Sequence, residues 1–181
     1  MLRNIDTVFL DRDGVINRRL PDDYVKRWEE FEFLPQAKEA LAELSKNNLR
    51  LIIVTNQRGI ALGLMTEQEL WLIHQRMVEE LNQAGAKITA IYHCPHDRNQ
   101  CACRKPQTGL FLKAKEDFPE IDFARSVMIG DSVSDIEAGI KAGCQTIFIG
   151  EQKPKKIKDA LSARTLIEAV RCIIPKKSNH E

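Results

Sequence analysis

The residues equipped for chemistry begin at Asp11. An apolar run, Val8-Phe9-Leu10, ends on two carboxylates two positions apart, Asp11 and Asp13, with Gly14 directly after. Along a strand, residues i and i+2 point to the same side, so both carboxylates face one ligand where the strand leaves its sheet. Two anions held that close repel unless a cation or a shared proton relieves them, which suits a Mg2+ site, an acid/base pair, or both. Alone, Asp-x-Asp-Gly reads equally well as a polar turn after a buried strand. Three further groups decide between these: Thr55, Lys105, and Asp131 with Asp135 four residues on.

Asp11, Asp13 and Asp131 offer oxygen ligands to a hard divalent cation, with Asp13 using its backbone carbonyl and Asp135 supporting the shell. Thr55 adds a hydroxyl and a loop N–H, and Lys105 a fixed positive charge. A cation, a lysine and small donors converging on one point are the equipment for a phosphoryl group. One carboxylate attacks phosphorus in line and forms an aspartyl-phosphate; the other protonates the leaving alkoxide and then activates water. Asp11, first at the strand end, is the expected nucleophile and Asp13 the acid/base.

A second cluster, Cys94, His96, Cys101 and Cys103, places four soft or borderline ligands within ten residues. That set suffices for a closed tetrahedral Zn2+ site, whose role is structural because no coordination position stays open. It would fold a loop of little apolar content and fix Arg104 and Lys105 beside the phosphoryl site. His93, next to Cys94, reads as a bystander.

The elements that must position these groups follow from periodicity and capping. Thr7–Leu10 is a strand, and 16–34 is a polar, irregular loop of the length that is usually functional. Pro35 opens a helix with Ala37, Ala40, Leu41 and Leu44 on one face, ending at Asn47-Asn48. Leu49–Val54 is a buried strand. Thr66-Glu67-Gln68-Glu69 is a capping box for a helix carrying Leu70, Ile73, Met77 and Leu81 and stopping near Gly85. A strand over Lys87–Tyr92 leads into the cysteines. Then come a helix over Thr108–Asp117, a strand over Ser126–Gly130, a short helix ending near Gly143, a strand over Gln145–Ile149, and a helix over Arg164–Ile173. Alternating strands and helices predict an α/β fold, a doubly wound parallel sheet with right-handed crossovers. Such sheets bind ligands beyond the carboxyl ends of their strands, where every polar cluster above falls.

At 181 residues the chain suits one domain, expected over 1–174 with a zinc loop at 93–104 and a loose tail at 175–181. Its 27 basic and 26 acidic residues leave a net charge of +1, which offers no broad basic face for nucleic acid. No signal-peptide core or membrane-length apolar run is present, so a cytoplasmic location is expected. In a reducing compartment, three of five cysteines within ten residues favour metal over disulfide. With no long exposed apolar run, a monomer is expected.

Asp11-Arg12-Asp13-Gly14, Thr55, Lys105 and Gly130-Asp131 through Asp135 resemble, in order, the four motifs of the haloacid dehalogenase phosphatase superfamily. The resemblance spans residues 7–150 and implies the roles argued above for Asp11, Asp13, Thr55 and Lys105. Cys94-Pro95-His96 with Cys101-Ala102-Cys103-Arg104-Lys105-Pro106 is similar to the zinc-loop branch, comprising heptose 1,7-bisphosphate 7-phosphatases and histidinol-phosphate phosphatases. No insertion is large enough for a cap domain, so the zinc loop and the 16–34 loop must shape the pocket. Thr55 through Ala61 resembles the heptose enzymes more closely, implying a small phosphorylated partner, a sugar bisphosphate. Leu62 and Ser132 depart from that branch, where basic residues are expected. Asn17, Asn56, Gln57, Arg58 and Arg104 are the expected substrate contacts; Arg18 and Arg19 are further candidates to supply the missing charge but read more readily as solvated. A histidinol substrate would instead want an acidic pocket, for which Asp22, Asp23 and Glu29 are available. A zinc-stabilised binding protein on the same fold is the reading from another class, and the complete motif set disfavours it.

Overall fold

The computed structural model describes residue 2 and residues 4–174; the expected tail at 175–181 lies outside the described residues. Six strands form one sheet: β1 (Thr7–Leu10), β2 (Arg50–Asn56), β3 (Ile88–Cys94), β4 (Ser126–Gly130), β5 (Gln145–Ile149) and β6 (Leu161–Ala163). Their order is β3-β2-β1-β4-β5-β6 and every pairing is parallel. Four α-helices join the first five strands, α1 (Ala37–Lys46), α2 (Glu67–Gln83), α3 (Gly109–Asp117) and α4 (Val133–Ala142), and α5 (Leu166–Ile173) follows β6.

Both faces of the sheet are covered, which is why the central strands read as nearly continuous apolar runs. Val8, Leu10, Ile53, Val127 and Ile129 pack with Leu41 and Leu44 of α1, Met77 of α2 and Val170 of α5. Phe9, Ile52, Val54 and Met128 pack on the other side against Leu110 and Phe111 of α3 and Ala138 of α4. Each large apolar side chain so buried contributes roughly 1.5–3 kcal/mol. From β1 the chain steps outward through β2 to β3, then crosses back to lay β4 on β1's other side. The strand order therefore reverses between β1 and β4, the place where a doubly wound sheet opens a crevice.

Several boundaries differ from the sequence reading. Helix α1 begins at Ala37, not Pro35, because Gln36 adopts a φ of +59° and the Ala37 N–H closes a turn onto the Leu34 carbonyl. Strands β2 and β3 outrun their apolar segments because their polar ends pair, Thr55 with His93 and Asn56 with Cys94. A short edge strand, β6, carries no alternation that marks it in the sequence, and α5 starts at Leu166 rather than Arg164, with Thr165 as its cap. The capping box of α2 is present in both halves, and Gly85, at φ +84°, follows its end.

The 16–34 loop is irregular, with a single 3-10 turn at Trp28–Glu30, but its two ends are tied together. Arg18 N–H donates to the Glu32 carbonyl at 2.7 Å and Leu34 N–H to the Ile16 carbonyl at 2.9 Å. Trp28 stacks on Phe31 at 4.9 Å between ring centroids. Among the described residues there is no second sheet, and no helix is long and apolar enough to cross a membrane.

Candidate active site

The two strands at the reversal supply the carboxylates. Asp11 follows β1, and its N–H donates to the Ile129 carbonyl of β4 at 3.0 Å; Asp131 follows β4. Lys105 reaches between them, with Nζ 2.9 Å from Asp11 Oδ1, 2.6 Å from Asp135 Oδ1 and 2.7 Å from the Val54 carbonyl. Asp11, Asp131 and Asp135 each bring an oxygen within 4.8 Å of the others. Asp135 is fixed by the cap of α4, where its Oδ2 accepts from Ser132 N–H at 3.0 Å and Ser132 Oγ at 2.6 Å. Gly14 makes room for the group: at its φ of +88°, an added Cβ would lie 2.0 Å from Asp131 Oδ2. Only glycine meets both demands.

Negative charge is in excess here. Burial, with Asp135, Asp131 and Asp13 nearby, pushes Asp11 up to about 7 although Lys105 opposes the shift. Asp131 is raised for the same reasons, burial first, against Arg19. Lys105 stays charged despite burial because it faces Asp11 and Asp135. Three carboxylates thus meet one lysine and, through a 3.0 Å contact from Arg19 to Asp131 Oδ2, one arginine. Asp131 Oδ1 is buried with no hydrogen-bond partner. Hard oxygens, surplus charge and an orphaned lone pair together fit a divalent cation such as Mg2+.

The Asp13 carboxylate stands apart from that trio. Its Oδ1 accepts from Arg12 Nη2 and Asn17 Nδ2, both at 2.9 Å, and its Oδ2 from Arg12 Nη2 and Gln57 Nε2, both at 2.9 Å. Burial opposes ionisation, yet the Arg12 charge and these donors hold Asp13 below the usual carboxylate range. Gln57 Nε2 also donates to Thr55 Oγ1 at 2.9 Å, which leaves the threonine's own proton to give.

The expected substrate contacts divide into two sets. Asn17 and Gln57 are fully buried and absent from the cavity wall, and each donates to an Asp13 oxygen at 2.9 Å. Asn56, Arg58 and Arg104 do line the cavity, whose volume is about 630 Å³ and whose floor is Asp11, Asp13 and Lys105. Arg19 lines it too and pairs with Asp131, so it is not merely solvated, whereas Arg18 pairs with Glu32 at the surface. Arg98, also on the wall, went unread because the polar run around it carries no periodicity. Arg12 went unread as a buried residue, as did its contact with His74 of α2.

The cysteine cluster assembles as expected from Cys94, the last residue of β3, and the loop beyond it. The three sulfurs lie 3.2, 3.3 and 3.5 Å apart, far beyond a disulfide bond, and His96 Nδ1 is 3.4 Å from Cys103 Sγ and 3.7 Å from Cys94 Sγ. These separations are close to the edges of a tetrahedron about one Zn2+, roughly 3.5–3.8 Å, and the donors are the soft ones zinc prefers. Burial pushes the Cys94 thiol up, whereas donors including the Arg104 N–H bring Cys101 down to about 7 against its own burial. The exit of the loop is pinned to β2, since Asn56 accepts from Lys105 N–H and donates to its carbonyl, both at 3.1 Å. Gly109 seats the loop on α3, because a Cβ there would come within 2.6 Å of the Ala102 carbonyl.

A parallel sheet reversing at an Asp-x-Asp strand end, with a buried lysine and a second acidic cluster, defines a phosphoryl-transfer hydrolase of the haloacid dehalogenase type. Residues 102–169 match the family described as HAD-hydrolase-like. The chain is 39% identical over 159 residues, 84% of each sequence, to the D-glycero-alpha-D-manno-heptose-1,7-bisphosphate 7-phosphatase of Mycobacterium tuberculosis. It is 38% identical over 173 residues, 91% of each, to the corresponding beta-heptose enzyme of Vibrio cholerae. The crystal structure of D,D-heptose 1,7-bisphosphate phosphatase from B. bronchiseptica, complexed with magnesium and phosphate, superposes with a TM-score of 0.85 at 29% identity, covering 93% of this chain and 98% of that one. The chain belongs to the haloacid dehalogenase-like hydrolases, in the branch of these heptose bisphosphate phosphatases.

Proposed function

We propose that the protein is a Mg2+-dependent phosphatase that removes the 7-phosphate of D-glycero-D-manno-heptose 1,7-bisphosphate through an aspartyl-phosphate. The observation that carries this reading is the group at the sheet reversal: Asp11 beside Lys105, with Asp131 and Asp135 within 4.8 Å and one Asp131 oxygen unpartnered. Asp11, Asp131 and the Asp13 carbonyl would hold Mg2+, backed by Asp135, and the ion would neutralise phosphoryl oxygens and favour ionised Asp11. An Asp11 oxygen attacks phosphorus, the bond from phosphorus to the sugar oxygen breaks, and Asp13 gives that oxygen a proton. Asp13 is ionised in the free site, and the negative phosphoryl group arriving beside it raises its affinity for that proton. Water then attacks the aspartyl-phosphate and loses its proton to Asp13, which frees inorganic phosphate and restores Asp11. Lys105 and Thr55 donate to the phosphoryl oxygens.

The wall of the cavity suits a second phosphate. Arg19, Arg58, Arg98 and Arg104 line it; Arg19 is paired with Asp131 and Arg58 with Asp97, as Asp23, a candidate partner for a substrate ammonium, is with Lys26, but no ion pair holds Arg98 or Arg104 among the described residues. Zn2+ held by Cys94, His96, Cys101 and Cys103 would act structurally, keeping Arg104 and Lys105 in place.

The test is steady-state kinetics with Mg2+ on heptose 1,7-bisphosphate and histidinol phosphate, for wild type and Asp11→Asn. Wild type is expected to favour the heptose by about a hundredfold or more in kcat/KM, roughly 2.7 kcal/mol of differential transition-state binding. The asparagine variant should fold and show no turnover. Activity surviving in that variant would sink the mechanism, and a preference for histidinol phosphate would sink the substrate.

A further inference from the structure

Behind the acid/base carboxylate lies a chain of buried contacts that the proposed reaction does not yet use. Arg12 is 0% exposed and out of reach of any substrate. Its Nη2 lies 2.9 Å from both Asp13 oxygens and 3.4 Å from Gln57 Oε1, its Nε 3.3 Å from Asp13 Oδ1, and its Nη1 3.2 Å from His74 Nε2. A guanidinium keeps its protons, so Nη1 donates and His74 Nε2 accepts, which fixes a neutral imidazole carrying its proton on Nδ1. His74 sits on the apolar side of α2 among Leu70, Ile73 and Met77, 8% exposed, where the neutral ring belongs.

We propose that His74 is a positioning residue for the acid/base step: by accepting from Arg12 it fixes the guanidinium plane, and that plane fixes both oxygens of Asp13. The inference rests on the reading of Asp13 as the acid/base. A planar fork that grips a carboxylate orients it only while the fork is itself held. With no acceptor at position 74, Nη1 is left buried and unpaired, the guanidinium turns toward another oxygen, and Asp13 loses its alignment. Among the described residues, Nη1 has no acceptor besides His74.

The consequence differs between the two chemical steps. Protonating a sugar alkoxide needs an aligned Asp13, whereas p-nitrophenolate leaves without help. Hydrolysis of the aspartyl-phosphate needs Asp13 for both substrates. His74→Asn, whose amide extends only about as far as Nδ1, is therefore expected to release about one p-nitrophenolate per site in a burst from p-nitrophenyl phosphate. Its steady rate should then run at least about tenfold below wild type. With heptose bisphosphate the same variant should show no burst and an equal or larger loss of kcat, with KM within about twofold because His74 touches no substrate. His74→Gln, whose Oε1 can stand where Nε2 stands, should restore wild-type behaviour, and His74→Leu should repeat the asparagine result.

Asp13→Asn, run alongside, separates the two failures. If it keeps wild-type kcat, the acid/base reading itself is wrong. If it is inactive while a folded His74→Asn protein keeps full kcat, or loses rate equally on both substrates with no burst, the positioning role of His74 is overturned. Failure of His74→Gln to recover the rate in a folded protein would overturn it as well.

Discussion

His74 also sets a limit on the pH at which the fold is stable. Burial, with the Arg12 charge and His93 beside it, holds the ring down to about 3, whereas the imidazole of an unfolded chain titrates near 6.5. Below pH 6.5 the unfolded chain takes up a proton that the native site refuses. The stability contributed here is full above 6.5 and drains as pH falls from 6.5 toward 3, by at most about 1.4 kcal/mol per pH unit. Urea titrations at pH 7.5 and 5.5 should show wild type losing about 1 kcal/mol more than His74→Gln over that interval. At this scale the sequence was legible wherever chemistry dictates residue type and a strand end dictates place, as for Asp11, Asp131 and Lys105. Arg12 was not, because an arginine is ordinarily exposed and its acceptor stands 62 positions away. The one available signal was a histidine sharing the apolar stripe of α2 with Ile73 and Met77. Asn17 and Gln57 were legible as members of the site but not as supports, since spacing does not say which side of a carboxylate a neighbour occupies.

Among the elements, the loop from Cys94 to Lys105 is the one that carries a set of soft metal donors. Cys94 ends β3 in the core, Cys101 and Cys103 pack partly against it, and His96 is exposed. Stripping zinc with a strong chelator is expected to lower Tm by at least about 5 °C, since losing 2 kcal/mol moves Tm by about 4–8 °C at this chain length. Activity should fall with it even in excess Mg2+, because Lys105 follows the last thiol by two residues, and Zn2+ alone should restore it. Chelation that leaves Tm and rate unchanged would remove zinc from the account. The elements easiest to read carried their own termini, the capping box at Thr66 and the glycines at 85 and 143, whereas the second capping box, at Ser132, emerged only in the fold. Strand β6 offered no such mark, for three residues with a serine at the centre form a strand only because β5 lies beside them.

Over the whole molecule, the surplus of negative charge between β1 and β4 ties global stability to cation binding, since the unfolded chain does not hold Asp11, Asp131 and Asp135 together. Mg2+ at a hundred times its Kd should add about 2.7 kcal/mol, or roughly 5–11 °C in Tm, and Asp131→Asn should lose most of that gain in a thermal scan. The architecture itself was open to sequence reading because strands and helices alternate with clear periods, and that alternation admits few topologies. The order of the strands carries a further consequence, for the making of the protein. Strand β1 leaves the ribosome well before one of its two neighbours, β4, which begins only at Ser126. Until then β1 has one open edge, and Asp11 lacks the Ile129 carbonyl that anchors it. At about 5–20 residues per second that exposed interval lasts seconds, so the nascent chain, rather than the finished enzyme, is where this sheet is most open to pairing with the wrong partner.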